Sequence, residues 1–264
     1  MARSLSSALG KGFAGLDDGR LVRVVFFASL LGTMIVLGLD FRALWLRQPP
    51  VLPDLSNPIL PPDRGPAAPA APPPAPVRTA PEDLSRPLEI SLLADGILRL
   101  RGAVTPGSGE RLAEEIAERG AYVKRITLDS PGGLVSEALD MGRLIREAGF
   151  ATHVAEGSYC ASSCPLVLAG GATRTAESGA VIGVHQIYTP PDAALPLREL
   201  VRTPQRIERD TQAATASITR YLREMDVDPA LWILALETPP ERLRYLSAAE
   251  LAEYRLANAP RDTE

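Results

Sequence analysis

Asp129-Ser130-Pro131-Gly132-Gly133, then Gly157-Ser158-Tyr159-Cys160-Ala161-Ser162-Ser163-Cys164, then Val184-His185-Gln186 mark out the stretch that decides how this chain reads. An apolar run, Ile126-Thr127-Leu128, feeds directly into Ser-Pro-Gly-Gly, and a helical pattern follows. Glycines at the end of a strand let the backbone approach a ligand with its N–H groups exposed. Ser162 and Ser163 then open a second apolar helical run, where unpaired N–H groups and the helix dipole favour an anion. His185, one of only 2 histidines, closes the strand-like Ala180–Val184. Oxyanion donors, a hydroxyl and an imidazole are the ingredients of acyl transfer. The plainer reading of Ser162 is a helix N-cap.

Outward from this stretch, strand and helix patterns alternate with short turns, which predicts α/β layers. Leu88–Leu93 and Ile97–Val104 flank Ala94-Asp95-Gly96 and read as a hairpin, since Asp-Gly is a strong turn signal. Ser108–Arg119 carries Leu112, Ala113, Ile116 and Ala117 at helical spacing. Lys124–Leu128 reads as a strand, and Leu134–Ala148 as a helix that turns Ala138, Leu139, Met141 and Ile145 inward. Phe150–Ala155 and Ala180–Val184 are further strands around a buried helix at Ser162–Ala169. Beyond a loop at Thr189–Pro204, helices are expected over Gln205–Met225 and Pro229–Leu236. A last helix spans Ser247–Leu256, where Ser247 and Glu250 fit a capping box. The folded domain is therefore placed at 88–258, with a tail at 259–264.

A net charge of −4 and a pI near 5.4 give no basic footprint, which argues against nucleic acid as a partner. The N-terminal third is of another character. Residues 1–23 are polar, and Val24–Leu39 then carries no charge. At about 1.5 Å per residue that run reaches roughly 24 Å, short of a bilayer core of about 30 Å. Extension over 21–46, with Arg23 snorkelling and Phe41, Leu44 and Trp45 at the interface, closes the gap. A cleaved signal peptide is the alternative reading. Asp40-Phe41-Arg42, not a small-x-small site, follows Leu39. The expectation is a single-pass anchor at 24–39, with residues 1–23 cytoplasmic and the C-terminal domain periplasmic or otherwise extracytoplasmic. Most of the 25 prolines fall within 40–87. Such a composition buries no core and predicts a disordered, extended linker. At about 3 Å per residue its roughly 40 residues from Pro49 to Pro87 would reach up to about 100 Å from the membrane.

Ser130-Pro131-Gly132-Gly133, Ala161-Ser162 before an apolar helix ending Ala169-Gly170-Gly171, His185-Gln186, and Tyr245-Leu246-Ser247-Ala248-Ala249-Glu250 together resemble the proteolytic subunit of the Clp protease. That family belongs to the Clp/crotonase superfamily, with membrane-associated peptidases of the signal-peptide peptidase A type as relatives. The resemblance covers 90–258 and nothing upstream. It implies a repeated β-β-α superhelix and a catalytic pair, Ser162 as nucleophile and His185 as base. It also implies an oxyanion hole from the backbone N–H groups of Gly133 and Ser163, with Gly132 permitting the turn. A protein or peptide substrate, no cofactor and a homo-oligomer follow from it as well, while 2 cysteines and 2 histidines argue against a metal site.

The chain departs from that pattern at one important place. The family's aspartate that orients the histidine falls on Leu243, which cannot do this, and Glu237 and Glu241 are the nearby carboxylates. A dyad lacking its third member still works, more slowly, because the acid holds tautomer and orientation. Pro165 also differs, yet fits a first helical turn. Cys160 and Cys164 bracket the serines and leave two readings open: a disulfide that pins the turn in an oxidising compartment, or two buried thiols. His153, inside a strand-like run, reads as structural. The leading expectation is a membrane-anchored serine hydrolase acting as a peptidase. The alternatives are a scaffold or binding domain that keeps the fold without the chemistry, suggested by Leu243, and a crotonase-like acyl-CoA enzyme. The last would want an adenine–phosphate pocket, for which no basic cluster is evident.

Overall fold

The computed structural model describes residues 18–46, 58–63, 75–187 and 204–258. Contacts divide the chain into two units, Met1–Val51 and Leu52–Glu264. In the first, α1 (Asp18–Leu46) is one continuous helix. Its stretch Gly19–Arg42, 24 residues, is long and apolar enough to cross a membrane and has the composition of a membrane span or a signal sequence. At about 1.5 Å per residue those residues reach roughly 36 Å, so the shortfall of 24–39 alone disappears.

The second unit is a mixed α/β body with two sheets. The larger has the order β1 (Glu89–Leu92), β2 (Ile97–Arg101), β3 (Arg125–Asp129), β4 (Ala151–Val154), β6 (Arg174–Ala176). Its first pair is antiparallel and the rest parallel. The smaller has the order β5 (Tyr159–Ala161), β7 (Val181–Val184), β8 (Arg244–Tyr245), with β5 and β7 parallel and β8 antiparallel. Parallel neighbours require crossovers, and helices supply them: α3 (Ser108–Arg119) between β2 and β3, and α4 (Val135–Glu147) between β3 and β4. A short helix α5 (Cys164–Ala169) joins β5 to β6. Ser130 continues β3 onto Cys160 of β5, so the Asp129–Gly133 turn sits where the two sheets meet.

The apolar spacing of α4 does what its period predicts. Ala138, Leu139, Met141 and Ile145 are all buried, each large side chain contributing about 1.5–3 kcal/mol of burial. Gly142 on the same helix admits the Tyr221 side chain of α6 (Pro204–Glu224), whose hydroxyl donates to the Leu166 carbonyl at 2.7 Å. A Cβ at Gly142 would lie 1.7 Å from that hydroxyl, so the position is closed to any larger residue. The body ends with α7 (Leu231–Glu237) and α8 (Ala248–Glu253), the latter started by the expected Ser247–Glu250 capping box.

Several sequence expectations need correction. The folded body begins before Leu88: Val77 packs on a second, smaller core of Leu84, Tyr159, Ala161, Val181 and Leu243, α2 (Pro81–Ser85) follows, and Leu84 is completely buried. Ile59 and Leu60 pack on that same core. These described parts of the 40–87 segment are therefore docked, not an extended tether. Strands β5, β6 and β8, two or three residues each, carry too few positions to show a period of two. The expected loop at 189–204 lies outside the described residues up to the start of α6, as do residues 1–17 and 259–264.

Candidate active site

The site is assembled from three turns at the C-terminal ends of parallel strands. The first follows β3. Ser130 Oγ accepts the Gly132 N–H at 3.1 Å, and the Gly132 carbonyl accepts the Val104 N–H at 2.8 Å. Leu134 N–H donates to the Val104 carbonyl at 3.0 Å, which leaves the intervening Gly133 N–H without an acceptor among the described residues. Gly132 and Gly133 stand at φ 90° and 146°, a region that L side chains rarely adopt.

The second turn follows β5 and carries Ser162 at φ 61°. A left-handed conformation at a non-glycine residue on a strand-to-helix turn is strained and holds its side chain away from the flanking backbone. Its own N–H is tied to the Gly183 carbonyl at 3.0 Å. Ser163, not Ser162, occupies the N-cap position of α5, which removes the N-cap reading of Ser162. The Ser163 N–H has no acceptor among the described residues. The first two turns touch: a Cβ on Gly132 would lie 2.7 Å from both Ser162 Cβ and the Ser163 nitrogen. Two unengaged N–H groups thus flank one serine. Pro165 sits in the first turn of α5, where its missing N–H has no intrahelical duty.

The third turn follows β7 and carries His185, which is buried. Its Nε2 lies 2.8 Å from Ser162 Oγ and its Nδ1 lies 2.8 Å from the Pro240 carbonyl oxygen. A carbonyl only accepts, so Nδ1 carries the proton and donates it to Pro240. Nε2 is then the lone-pair nitrogen facing the serine hydroxyl, the tautomer a general base requires. Burial pushes the His185 pKa below the ordinary 6.5, against an upward pull from the Pro240 contact and the Glu241 charge. The imidazole therefore stays neutral and basic to lower pH than a free histidine. If Ser162 depends on this base, its labelling by a fluorophosphonate is expected to show an acid limb below pH 6.5; a limb above 6.5 would contradict this environment for His185. In the unfolded chain the same imidazole takes up its proton at higher pH. Its contribution to stability is accordingly intact above 6.5 and lost as pH falls through the lower folded value.

Ser162, His185, Gly132, Gly133 and Ser163 are brought together as the sequence reading required. Leu243 is not among them: it is buried in the second core with Tyr159, Val181 and Leu84. Glu237 is exposed at the end of α7. Glu241 acts on His185 through its charge. The Nδ1 contact is a backbone carbonyl, and no side-chain pattern could have announced it. His153 is structural as expected, spanning from β4 to Thr175 Oγ1 at 2.8 Å and Glu177 Oε1 at 3.1 Å. Among the described residues no cluster of three or more His, Cys, Asp or Glu is placed to hold a metal ion.

Cys160 and Cys164 form a disulfide that closes over the Ser162–Ser163 turn, with Cα atoms 5.1 Å apart. Cys160 ends up on β5 and Cys164 starts α5, so the bridge fastens both sides of the strained serine. Replacing both by alanine is expected to lower stability by about 2 kcal/mol, the loop-closure value for so short a ring, read as a shift in urea midpoint. The labelling rate of Ser162 should fall with it.

Fold and site together define a mixed α/β protein with a serine–histidine pair beside two unengaged backbone donors. No protein-family model matches this chain, and a search of the curated proteins finds no match.

Proposed function

We propose that this chain is a serine hydrolase, a peptidase by preference, that works with a Ser162–His185 pair and a backbone oxyanion hole. The observation that carries the reading is the relay Ser162 Oγ–His185 Nε2 at 2.8 Å with Nδ1 held by Pro240 at 2.8 Å. Ser162 Oγ attacks the acyl carbon while its proton passes to Nε2. The carbonyl electron pair moves onto oxygen, where the Gly133 and Ser163 N–H groups receive the negative charge. As the tetrahedral species collapses, the bond to the leaving amine breaks and His185 returns the proton to nitrogen. Water then attacks the acyl-serine, His185 takes the water's proton, and the acid leaves with Ser162 restored. The Pro240 carbonyl holds the imidazole in place but lacks the full charge of a carboxylate, which points to slower turnover than a complete triad gives.

The motif order that resembles the Clp proteolytic subunit supports a Clp/crotonase-type superhelix and assembly with further copies of the chain. The disulfide supports an oxidising compartment for the α/β body, hence an anchor at α1 with the body extracytoplasmic. One observation favours a second reading, a weakly active or inactive scaffold: Leu243 occupies the position of the family's aspartate and is committed to the core. Hydrolysis of an activated acyl ester and of fluorogenic peptides by the full chain in detergent decides between them. A pre-steady-state burst from acyl-enzyme supports the hydrolase. Folded, oxidised protein without turnover supports the scaffold.

A further inference from the structure

Two pieces of the proline-rich segment pack on the second core, beside the elements that carry the site. The first, residues 59–63, pairs with Leu243 just ahead of β8 as an added edge, with Pro62 in parallel register beside it. Leu243 N–H donates to the Pro61 carbonyl at 3.0 Å, and Asp63 N–H donates to the Leu243 carbonyl at 2.7 Å. The Tyr245 hydroxyl donates to the Leu60 carbonyl at 2.5 Å, and Arg242 lies 3.6 Å from the Asp63 carboxylate. Pro62 lies between the two residues that bond to Leu243, where its missing N–H forfeits no ladder bond. Just upstream of Leu243 stands Pro240, whose carbonyl holds His185.

The second piece, residues 77–79, reaches the other half. Thr79 Oγ1 donates to Asp129 Oδ2 at 2.6 Å, and Arg78 N–H donates to the Gly157 carbonyl at 2.8 Å. Asp129 also accepts from the Tyr159 N–H at 3.1 Å and the Arg101 guanidinium at 3.0 Å, and it begins the turn that presents Gly133. Leu60 N–H also approaches the Tyr159 hydroxyl of β5 at 3.4 Å, and both pieces pack on the second core with Tyr159, Val181 and Leu243. That placement suits a brace.

We infer that residues 59–63 and 77–79 form a positioning clamp: the segment between α1 and the α/β body sets the imidazole through Leu243 and Pro240, and the oxyanion turn through Asp129. Its effect on rate rests on the hydrolase reading above; its effect on the imidazole does not. Prolines suit the task because they enter the extended form with little conformational entropy left to lose.

The test uses the full chain in detergent micelles with isotope-labelled histidine, the two imidazoles being distinguished by His153→Gln. Asp63→Pro removes the N–H given to Leu243, and Tyr245→Phe removes the hydroxyl given to Leu60. In the wild type the bonded Nδ1 proton of His185 should appear as a downfield resonance. In both variants it is expected to weaken or vanish, and fluorophosphonate labelling of Ser162 to slow about tenfold or more, while circular dichroism and the disulfide are retained. An unchanged Nδ1 resonance in both variants overturns the clamp. If the wild type never labels yet its resonance still depends on residues 59–63, the hydrolase reading fails and the clamp stands. Should Asp63→Pro fail to fold, Tyr245→Phe carries the decision alone.

Discussion

Ser162→Ala and His185→Ala should each lower acyl-ester hydrolysis by about 10⁴- to 10⁶-fold, and the double variant should lose no more than either single one. The two side chains act as one unit. Without the imidazole, Ser162 keeps its proton and is a poor nucleophile; without the hydroxyl, the imidazole has nothing to activate. The residual rate would come from the Gly133 and Ser163 N–H groups, which neither change disturbs. Ser162→Ala should fold, since Ser162 is only partly buried and the Cys160–Cys164 bridge still holds its turn, whereas His185 is buried and its variant is to be compared per folded molecule. Rates for the two single variants and the double, measured beside their urea midpoints, check this. A double variant much slower than the singles would mean that the two residues act independently, contrary to a 2.8 Å relay.

Gly133→Ala is the second large expected effect, and it has two parts. A Cβ there would lie 2.0 Å from the Val104 carbonyl oxygen, backbone that cannot swing aside, at a φ of 146°. The turn must move, and stability should fall by more than about 1 kcal/mol. In the hydrolase reading the displaced group is an oxyanion donor, so turnover should fall further, by about 10²- to 10³-fold, through kcat more than KM. A glycine needed only for packing would lower the urea midpoint and leave kcat of the folded fraction unchanged. Comparing kcat per active site with the midpoint separates the two.

Much of this fold is legible in the sequence because its long elements carry clear periods. Ser108–Arg119 and the inward face of α4 appear where apolar spacing places them, and Asp95 takes the positive φ that its Asp-Gly turn demands. The short strands β5, β6 and β8 do not show, since two or three residues between turns cannot display alternation. The docked pieces at 59–63 and 77–79 were hidden for a different reason. Proline-rich composition signals an extended backbone, and an extended backbone is equally suited to a free tether and to an added edge. Only the partner surface on β8 and Asp129 separates these, and no local pattern reports it.

The site was legible where side-chain identity carries it. Ser162, His185 and the Gly132–Gly133 pair stand out by type and order. What could not be read is what the backbone supplies. The positive φ of Ser162 comes from its place between β5 and α5, and the acceptor for His185 Nδ1 is a proline carbonyl. A carboxylate partner would point to Glu237 and Glu241, whereas the acceptor present is a backbone carbonyl. The disulfide question was settled by position: helix α5 starts only at Cys164, which leaves room for Cys160 to face it from the strand.

The central claim is that the Ser162 hydroxyl is made nucleophilic by a neutral His185. Mass spectrometry of the full chain after treatment with a fluorophosphonate tests it most directly. The account predicts one adduct, on the peptide containing Ser162, that is lost in His185→Ala and fades as the pH is lowered through the histidine's titration. Folded, disulfide-bonded protein that takes up no adduct, or takes it up on another serine, would contradict it.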